Sequence, residues 1–217
     1  LIPFSVISYH NKFLRQARDA YITGAFYPAL TATCALGERI LNRLVIRLRK
    51  HFAGKIEYKR VCDKNSFDNW GKAIGVLDAW GVFLPGVAKS FSALGKTRHG
   101  AIHFRPEVDE QGKDEELARE AIGQLSEIIS KQFSFGDQPW FIPNTKGEFF
   151  IKNEYENSPF VLEFILPCCL RVGPFHWVDI VNGIWHVHDD YPYEDREISD
   201  GEFVGLLGDR ENHPKPR

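Results

Sequence analysis

Apolar residues recur every three to four positions through the first two thirds of the chain, a rhythm that gathers them on one side of an α-helix. In residues 8–22, Phe13, Ala17, Ala20 and Tyr21 alternate with charged positions and predict a first helix. The longest periodic stretch is 26–51. There Leu30, Cys34, Leu41, Val45 and Leu48 form one stripe, and Leu36, Ile40 and Leu44 form a second, so this helix is expected to be central and buried on two sides. Ser66 or Asp68 is suited to cap a third helix ending near Ala79. Pro85-Gly86 opens a fourth, from Val87 to about Phe104, and Pro106 forbids its extension because it lacks a backbone N–H. Asp114, Glu115 and Glu116 favour the positive end of a fifth helix that reaches about Phe133.

After Gly136 the rhythm changes. Residues 146–152 and 160–166 are β-branched or aromatic runs bounded by Gly, Pro and Asn, and they predict strands. The strongest local signal is Asn182-Gly183 between residues 176–181 and 184–188. A two-residue hairpin turn needs positive φ at both positions, and Asn-Gly tolerates it. That turn pairs Ile180 with Trp185, Val178 with Val187, Asp179 with His186 and Trp177 with His188. The expected fold is therefore α+β: a helical domain over residues 1–137 and a small antiparallel β domain over 138–217, its sheet spanning roughly 140–207.

Charge sharpens the division. The net charge of −2 hides 20 Lys and Arg against 15 Asp and Glu in residues 1–137, a balance of +5, and 7 against 14 in residues 138–217, a balance of −7. Residues 39–60 carry Arg39, Arg43, Arg47, Arg49, Lys50, Lys55, Lys59 and Arg60 against one acid, Glu57. Such a stretch either meets phosphate backbones, with Arg43, Arg47 and Lys50 as candidate RNA contacts, or solvates a helix face. The acidic segment is expected to overlie this region and weaken indiscriminate RNA binding, or else to point away from it. With 43% hydrophobic and 26% charged residues the composition is that of a folded protein, not a disordered or fibrous one. No apolar run is long enough to span a bilayer, and residues 1–4 do not resemble a signal peptide, so no membrane partner is expected. Cys34, Cys62, Cys168 and Cys169 show no CxxC spacing. A disulfide framework is thus not indicated, and a reducing, cytoplasmic setting is expected.

The segment richest in chemistry is Lys96-Thr97-Arg98-His99-Gly100-Ala101-Ile102-His103-Phe104, at the end of the fourth helix. On a helix His99 and His103 share a face, while Arg98 and His103 lie about 140° apart and can flank a groove. Attack of a ribose 2′-OH on its own phosphodiester needs a base, an acid and positive charge on the phosphorane oxygens, and it needs no metal. Histidine titrates near neutrality, and the arginine fork matches phosphate geometry. Glu38 lies on the apolar stripe of the second helix, where an unpaired carboxylate is costly. It either orients Arg98 or His103 across the bundle or pairs locally with Asn42 or Arg39. Zinc is disfavoured at His99 and His103, because the residues between them include no glutamate and no third ligand is near. Asp179, His186, His188 and Asp189-Asp190 offer no better metal case, so no metal or cofactor is expected.

The order of elements adds to this. Tyr27-Pro-Ala-Leu30 and Leu36-Gly-Glu-Arg-Ile-Leu-Asn-Arg-Leu44 precede Leu94-Gly-Lys-Thr-Arg98-His99-Gly-Ala-Ile-His103, and a last long helix follows. Over residues 8–135 this resembles the HEPN superfamily, whose signature is Arg-x4–6-His with a polar residue after the arginine. The resemblance implies a helical bundle that dimerises so that two Arg-His motifs face each other. It further implies a metal-independent endoribonuclease of antiphage defence or a toxin-type system, with Arg98, His103 and His99 catalytic, Glu38 supporting, and a regulatory or antitoxin-like protein partner. The chain departs from the Arg-x4-His-x-Tyr toxins, having Arg105 where they carry the modified tyrosine. Because some members of the superfamily bind without catalysis, a scaffold module for protein or nucleotide partners is the alternative reading.

Overall fold

The striped stretches fold as helices close to the positions their periodicity marks. The structure, a computed structural model, describes residues 3–102, 113–143, 145, 149–169, 173–188 and 196–212. Helix α1 is Ser8–Ile22, and Gly24, at φ 81°, lets the chain reverse into α2, Phe26–Leu48. The two run antiparallel: Tyr21 meets Phe26 at 5.3 Å, and further along Arg39 lies over Phe13 and Arg43 over Tyr9. Both stripes of α2 are buried, from Leu30 and Cys34 through Leu36, Ile40 and Leu41 to Leu44, Val45 and Leu48, because α1, α3, α4 and α5 surround it. Its last expected turn is instead a 3₁₀ turn, Arg49–Phe52.

Helix α3 is Trp70–Ala79, and its cap is Asn69 rather than Ser66 or Asp68: the Asn69 side chain accepts the Lys72 N–H at 3.0 Å. Helix α4 is Val87–Ile102, and α5 is Lys113–Gln132 with Asp114, Glu115 and Glu116 in its first turn. The expected end of α4 at Phe104 and the stop at Pro106 lie outside the described residues. Helices α4 and α5 are antiparallel, tied by Ser90 Oγ donating to Glu127 at 2.9 Å and Thr97 Oγ1 to Gln124 at 3.3 Å. Gln132 is fully buried yet satisfied, accepting the Leu84 N–H at 2.9 Å and donating to the Val82 carbonyl at 3.1 Å. This side chain fixes the connection into α4.

The expected antiparallel β domain is not what residues 138–217 form, and the α+β assignment is corrected to a mainly helical fold. Among the described residues the only paired strands are β1, Trp177–Val181, and β2, Ile184–His188. They pair in the expected register around Asn182 and Gly183, at φ 53° and 76°. The predicted strand at 160–166 is helical: a π-helical turn, Val161–Ile165, runs into a 3₁₀ turn, Leu166–Cys168. The reason lies in its spacing. Phe160, Val161, Phe164 and Ile165 follow an i, i+1, i+4, i+5 pattern and are all buried, while Leu162 is exposed. Of the predicted strand at 146–152, residues 146–148 lie outside the described residues, and the rest contributes one bridge, Ile151 to Phe141. Helix α6, Asp200–Asp209, occupies the end of the predicted sheet, capped by Ser199 accepting the Glu202 N–H at 3.2 Å.

The core continues past residue 137. Phe133, at the end of α5, is 5.7 Å from Phe160 and 6.5 Å from Phe164, and Trp140 is 5.2 Å from Phe160. These rings join the cluster built on α2. No helix among the described residues is long and apolar enough to cross a membrane.

Candidate functional site

Arg98 is set by three elements. It projects from α4 toward α2, where its guanidinium pairs with Glu38 at 2.8 Å, and it lies over the Trp70 ring of α3 at 5.7 Å. The side chains of Arg98 and Glu38 are 22% and 35% exposed, sheltered from bulk water but reachable. Of the two alternatives for Glu38, the carboxylate takes the cross-bundle one; Asn42 bonds only its backbone carbonyl, at 2.9 Å. A guanidinium offers five N–H donors. The Glu38 contact engages one nitrogen, Nη2, so a phosphate oxygen can be met by others.

Trp70 is the residue that the sequence reading missed, and its seat is built by small residues. An added Cβ at Gly37 of α2 would lie 3.0 Å from the indole and 2.6 Å from Leu94, and one at Gly95 of α4 would lie 3.2 Å from the indole. Two helices therefore approach the ring closely only because both carry glycine. Asn42 completes the seat: its Oδ1 accepts the Phe67 N–H at 2.5 Å and its Nδ2 donates to the Phe67 carbonyl at 3.2 Å, anchoring the segment that leads into α3. Gly37 and Gly95 stand inside periodic helices, but so do Gly75, Gly100 and Gly123, where an added Cβ meets nothing within 4 Å, so glycine placement alone did not mark the seat.

Arg98 and His99 line an open cleft of about 610 Å³, together with Asp68, Trp70 and Lys96. His99 is exposed on that wall, and Thr97 on the opposite side of α4 is buried against α5. His103 and Arg105 lie outside the described residues. One turn before Glu38, burial pushes the Cys34 thiol up to about 12, with the Arg98 charge opposing and that of Glu38 adding. It is an inert core group rather than a nucleophile.

The three candidate RNA contacts do not line this cleft. Arg43 lies over Tyr9 at 5.0 Å, Arg47 faces Glu163 at 3.6 Å, and Lys50 is exposed in the 3₁₀ turn after α2. Glu163 also lies 2.9 Å from His51, so the acidic segment does touch the basic one at this point. Among the described residues no group of three or more His, Cys, Asp or Glu side chains converges as a metal site would require. The chain matches no family model, no curated protein and no solved structure.

Proposed function

We propose that the protein is a metal-independent endoribonuclease of the HEPN type, working through Arg98 and the imidazoles of His99 and His103. The observation that carries the reading is the seat of Arg98: a guanidinium held by Glu38 and Trp70 at the edge of a cleft that also presents His99. A fixed cation is worth most where charge develops, since it needs no reorganisation as the phosphorane forms. One imidazole takes the 2′-OH proton as O2′ bonds to phosphorus. The other protonates the 5′ oxygen as the P–O5′ bond breaks, leaving a 2′,3′-cyclic phosphate and a 5′-hydroxyl. Two chains facing each other across their motifs supply the acid and base from separate copies.

The test is end-labelled RNA incubated with purified protein in excess EDTA, wild type beside Arg98→Ala. Cleavage to cyclic-phosphate ends that persists in EDTA and disappears in the variant supports the enzyme. RNA that is bound but never cut by the wild type selects the non-catalytic binding module. Sedimentation of the wild type should give a twofold assembly.

A further inference from the structure

A second charged feature lies on α2, away from the cleft. Arg39, Arg43 and Arg47 follow one another at i, i+4 and i+8 on one face of the helix, and His51 extends the row into the 3₁₀ turn. Successive rungs are separated by about 6 Å along the axis, comparable to the separation of neighbouring phosphates along a nucleic-acid strand.

The rungs are held in place by other elements. Arg39 lies 5.6 Å over Phe13, a ring that Lys12 also approaches at 5.9 Å, and Arg43 lies 5.0 Å over Tyr9. Phe13 and Tyr9 belong to α1 and are half-buried, so each guanidinium lies over a ring held by that helix, while Arg39 and Arg43 remain exposed. An arginine held over a ring loses less freedom when it binds, and its N–H groups can meet phosphate oxygens. Little acid competes nearby. Residues 1–50 contain two acids, Asp19 and Glu38, and Glu38 is engaged with Arg98. Arg49 is off the row, donating to the carbonyls of Val61 and Lys64 at 3.0 and 2.6 Å.

The molecule itself shows how the row takes an anion. The Glu163 carboxylate, carried on the helical turn at Val161–Ile165, places one oxygen 3.6 Å from Arg47 and the other 2.9 Å from His51. It occupies the last rungs as a phosphate would. We propose that Arg39, Arg43, Arg47 and His51 form a docking ladder for the phosphate backbone of single-stranded RNA, with Glu163 as the internal anion that RNA displaces from its last rungs. The choice of RNA rests on the ribonuclease reading; the ladder as an anion site rests on the Arg, aromatic and Glu163 geometry alone.

The ladder is tested by binding, apart from cleavage. A 2′-O-methyl oligoribonucleotide cannot be cut by 2′-OH attack and serves as probe for the full chain across a salt series. Each phosphate contact on a single strand contributes a slope of about 0.7 in log affinity against log salt, which is roughly fivefold at 0.1 M salt. The double variant Arg39→Gln/Arg43→Gln should bind about 25-fold more weakly, with a slope flatter by about 1.4. Glu163→Gln should move the other way, about fivefold tighter and steeper by about 0.7. Lys55→Gln/Lys59→Gln makes the same charge change beyond the end of α2 and should leave both quantities near wild type. Equal losses in the two double variants would reduce the ladder to net charge and overturn it, as would wild-type binding by Glu163→Gln. A poly-glutamate peptide that competes as well as the oligonucleotide would overturn RNA as the ligand. Absence of cleavage in the EDTA assay with these binding shifts intact would sink the nuclease and leave the ladder standing.

Discussion

Two arginines of this protein each face a glutamate, and the pairs differ in kind. Arg98 and Glu38 join α4 to α2 at 2.8 Å, and the guanidinium is backed by Trp70. Arg47 and Glu163 meet at 3.6 Å with Arg47 49% exposed, and Glu163 stands on an irregular turn rather than on a long helix. In the first pair both partners stand on long helices of the bundle, with side chains 22% and 35% exposed. In the second pair water already reaches the cation, and the anion is shared with His51. The contrast separates positioning from occupancy. One glutamate holds an arginine at the edge of a cleft, whereas the other stands where the proposed ladder would take a phosphate.

Replacing each glutamate with glutamine tests that contrast most strongly. Glu38→Gln keeps the shape and removes the charge that orients Arg98. Loss of one well-placed oxyanion donor typically lowers kcat by 10² or more, so a fall of about 10²-fold in RNA cleavage is expected, with affinity for a 2′-O-methyl oligonucleotide unchanged. Glu163→Gln should leave kcat at the wild-type value. Single-turnover cleavage beside equilibrium binding reads both. A large kcat loss in Glu163→Gln, or none in Glu38→Gln, would erase the distinction.

The seat of Trp70 yields the next effect. In Gly37→Ala the new Cβ would sit 2.6 Å from Leu94, which is fully buried and has little room to turn. Overpacking of this sort costs about 1–3 kcal/mol, against a gain of about 1 kcal/mol in helix propensity. A net loss of about 1 kcal/mol is expected from denaturant unfolding, accompanied by weaker cleavage as Arg98 loses its backing ring. Gly123→Ala in α5, where a Cβ meets nothing within 4 Å, should stabilise by up to about 1 kcal/mol. A stabilised Gly37→Ala would show that the close approach is not needed.

The same contrast explains what could be read along the chain. The five helices of the bundle were legible because each carries several turns of apolar stripe, and Asn182-Gly183 was legible because one dipeptide sets the turn. Residues 160–166 misled because their β-branched and aromatic content favours a strand while the spacing of Phe160, Val161, Phe164 and Ile165 is helical; seven residues hold too few turns for the spacing to prevail. Helix α6 announced itself in Ser199 and Glu202, a start signal with the spacing of a capping box. Gly201, Gly205 and Gly208 argued against it. The change near residue 137 is real in charge, but helical turns resume at Val161–Ile165 and in α6, and the apolar core crosses the boundary. A fragment ending there would lack Trp140, Phe141, Phe160, Val161, Phe164 and Ile165, all buried. The contribution of the acidic segment is therefore better tested at Glu163 than by deletion. At the site, Arg98, His99 and Glu38 were legible as residue types, while Trp70, Asn42 and the two glycines act through packing that only the fold brings together.

The floor beneath the ladder supplies a pH effect. Tyr9, which backs Arg43, meets the His10 ring edge-on at 4.5 Å, and His10 is fully buried with Nδ1 2.9 Å from the Ser5 hydroxyl. Burial, with a smaller push from the Arg43 charge, lowers His10 from 6.5 to about 3. Above pH 6.5 both the folded and the unfolded chain hold it neutral, and its contribution to stability is complete. As the pH falls from 6.5 toward 3 the unfolded chain takes up the proton and the folded chain does not, so stability drops, at up to about 1.4 kcal/mol per pH unit. Urea unfolding between pH 7 and pH 4 should show this slope, reduced in His10→Gln. An identical slope in that variant would assign the acid sensitivity to other groups.

The smallest effect decides whether Glu163 is an occupant or a clamp. Exposed ion pairs couple weakly, because solvent screens the charges and fixing two long side chains costs entropy; about 0.2–1 kcal/mol is usual. Arg47 is half exposed and the separation of 3.6 Å is long for a charge-assisted hydrogen bond. A double-mutant cycle of Arg47→Ala and Glu163→Ala on unfolding free energy should therefore give a coupling of no more than about 0.5 kcal/mol. Raising the salt from 0.05 to 0.5 M should abolish even that, since the Debye length shrinks to a few ångströms. The same cycle on Arg98 and Glu38 should give the larger coupling and retain most of it in salt. A salt-resistant coupling above about 1.5 kcal/mol at Arg47 would make Glu163 a structural strut that a phosphate could displace only at the expense of the fold, and the two pairs would then be alike.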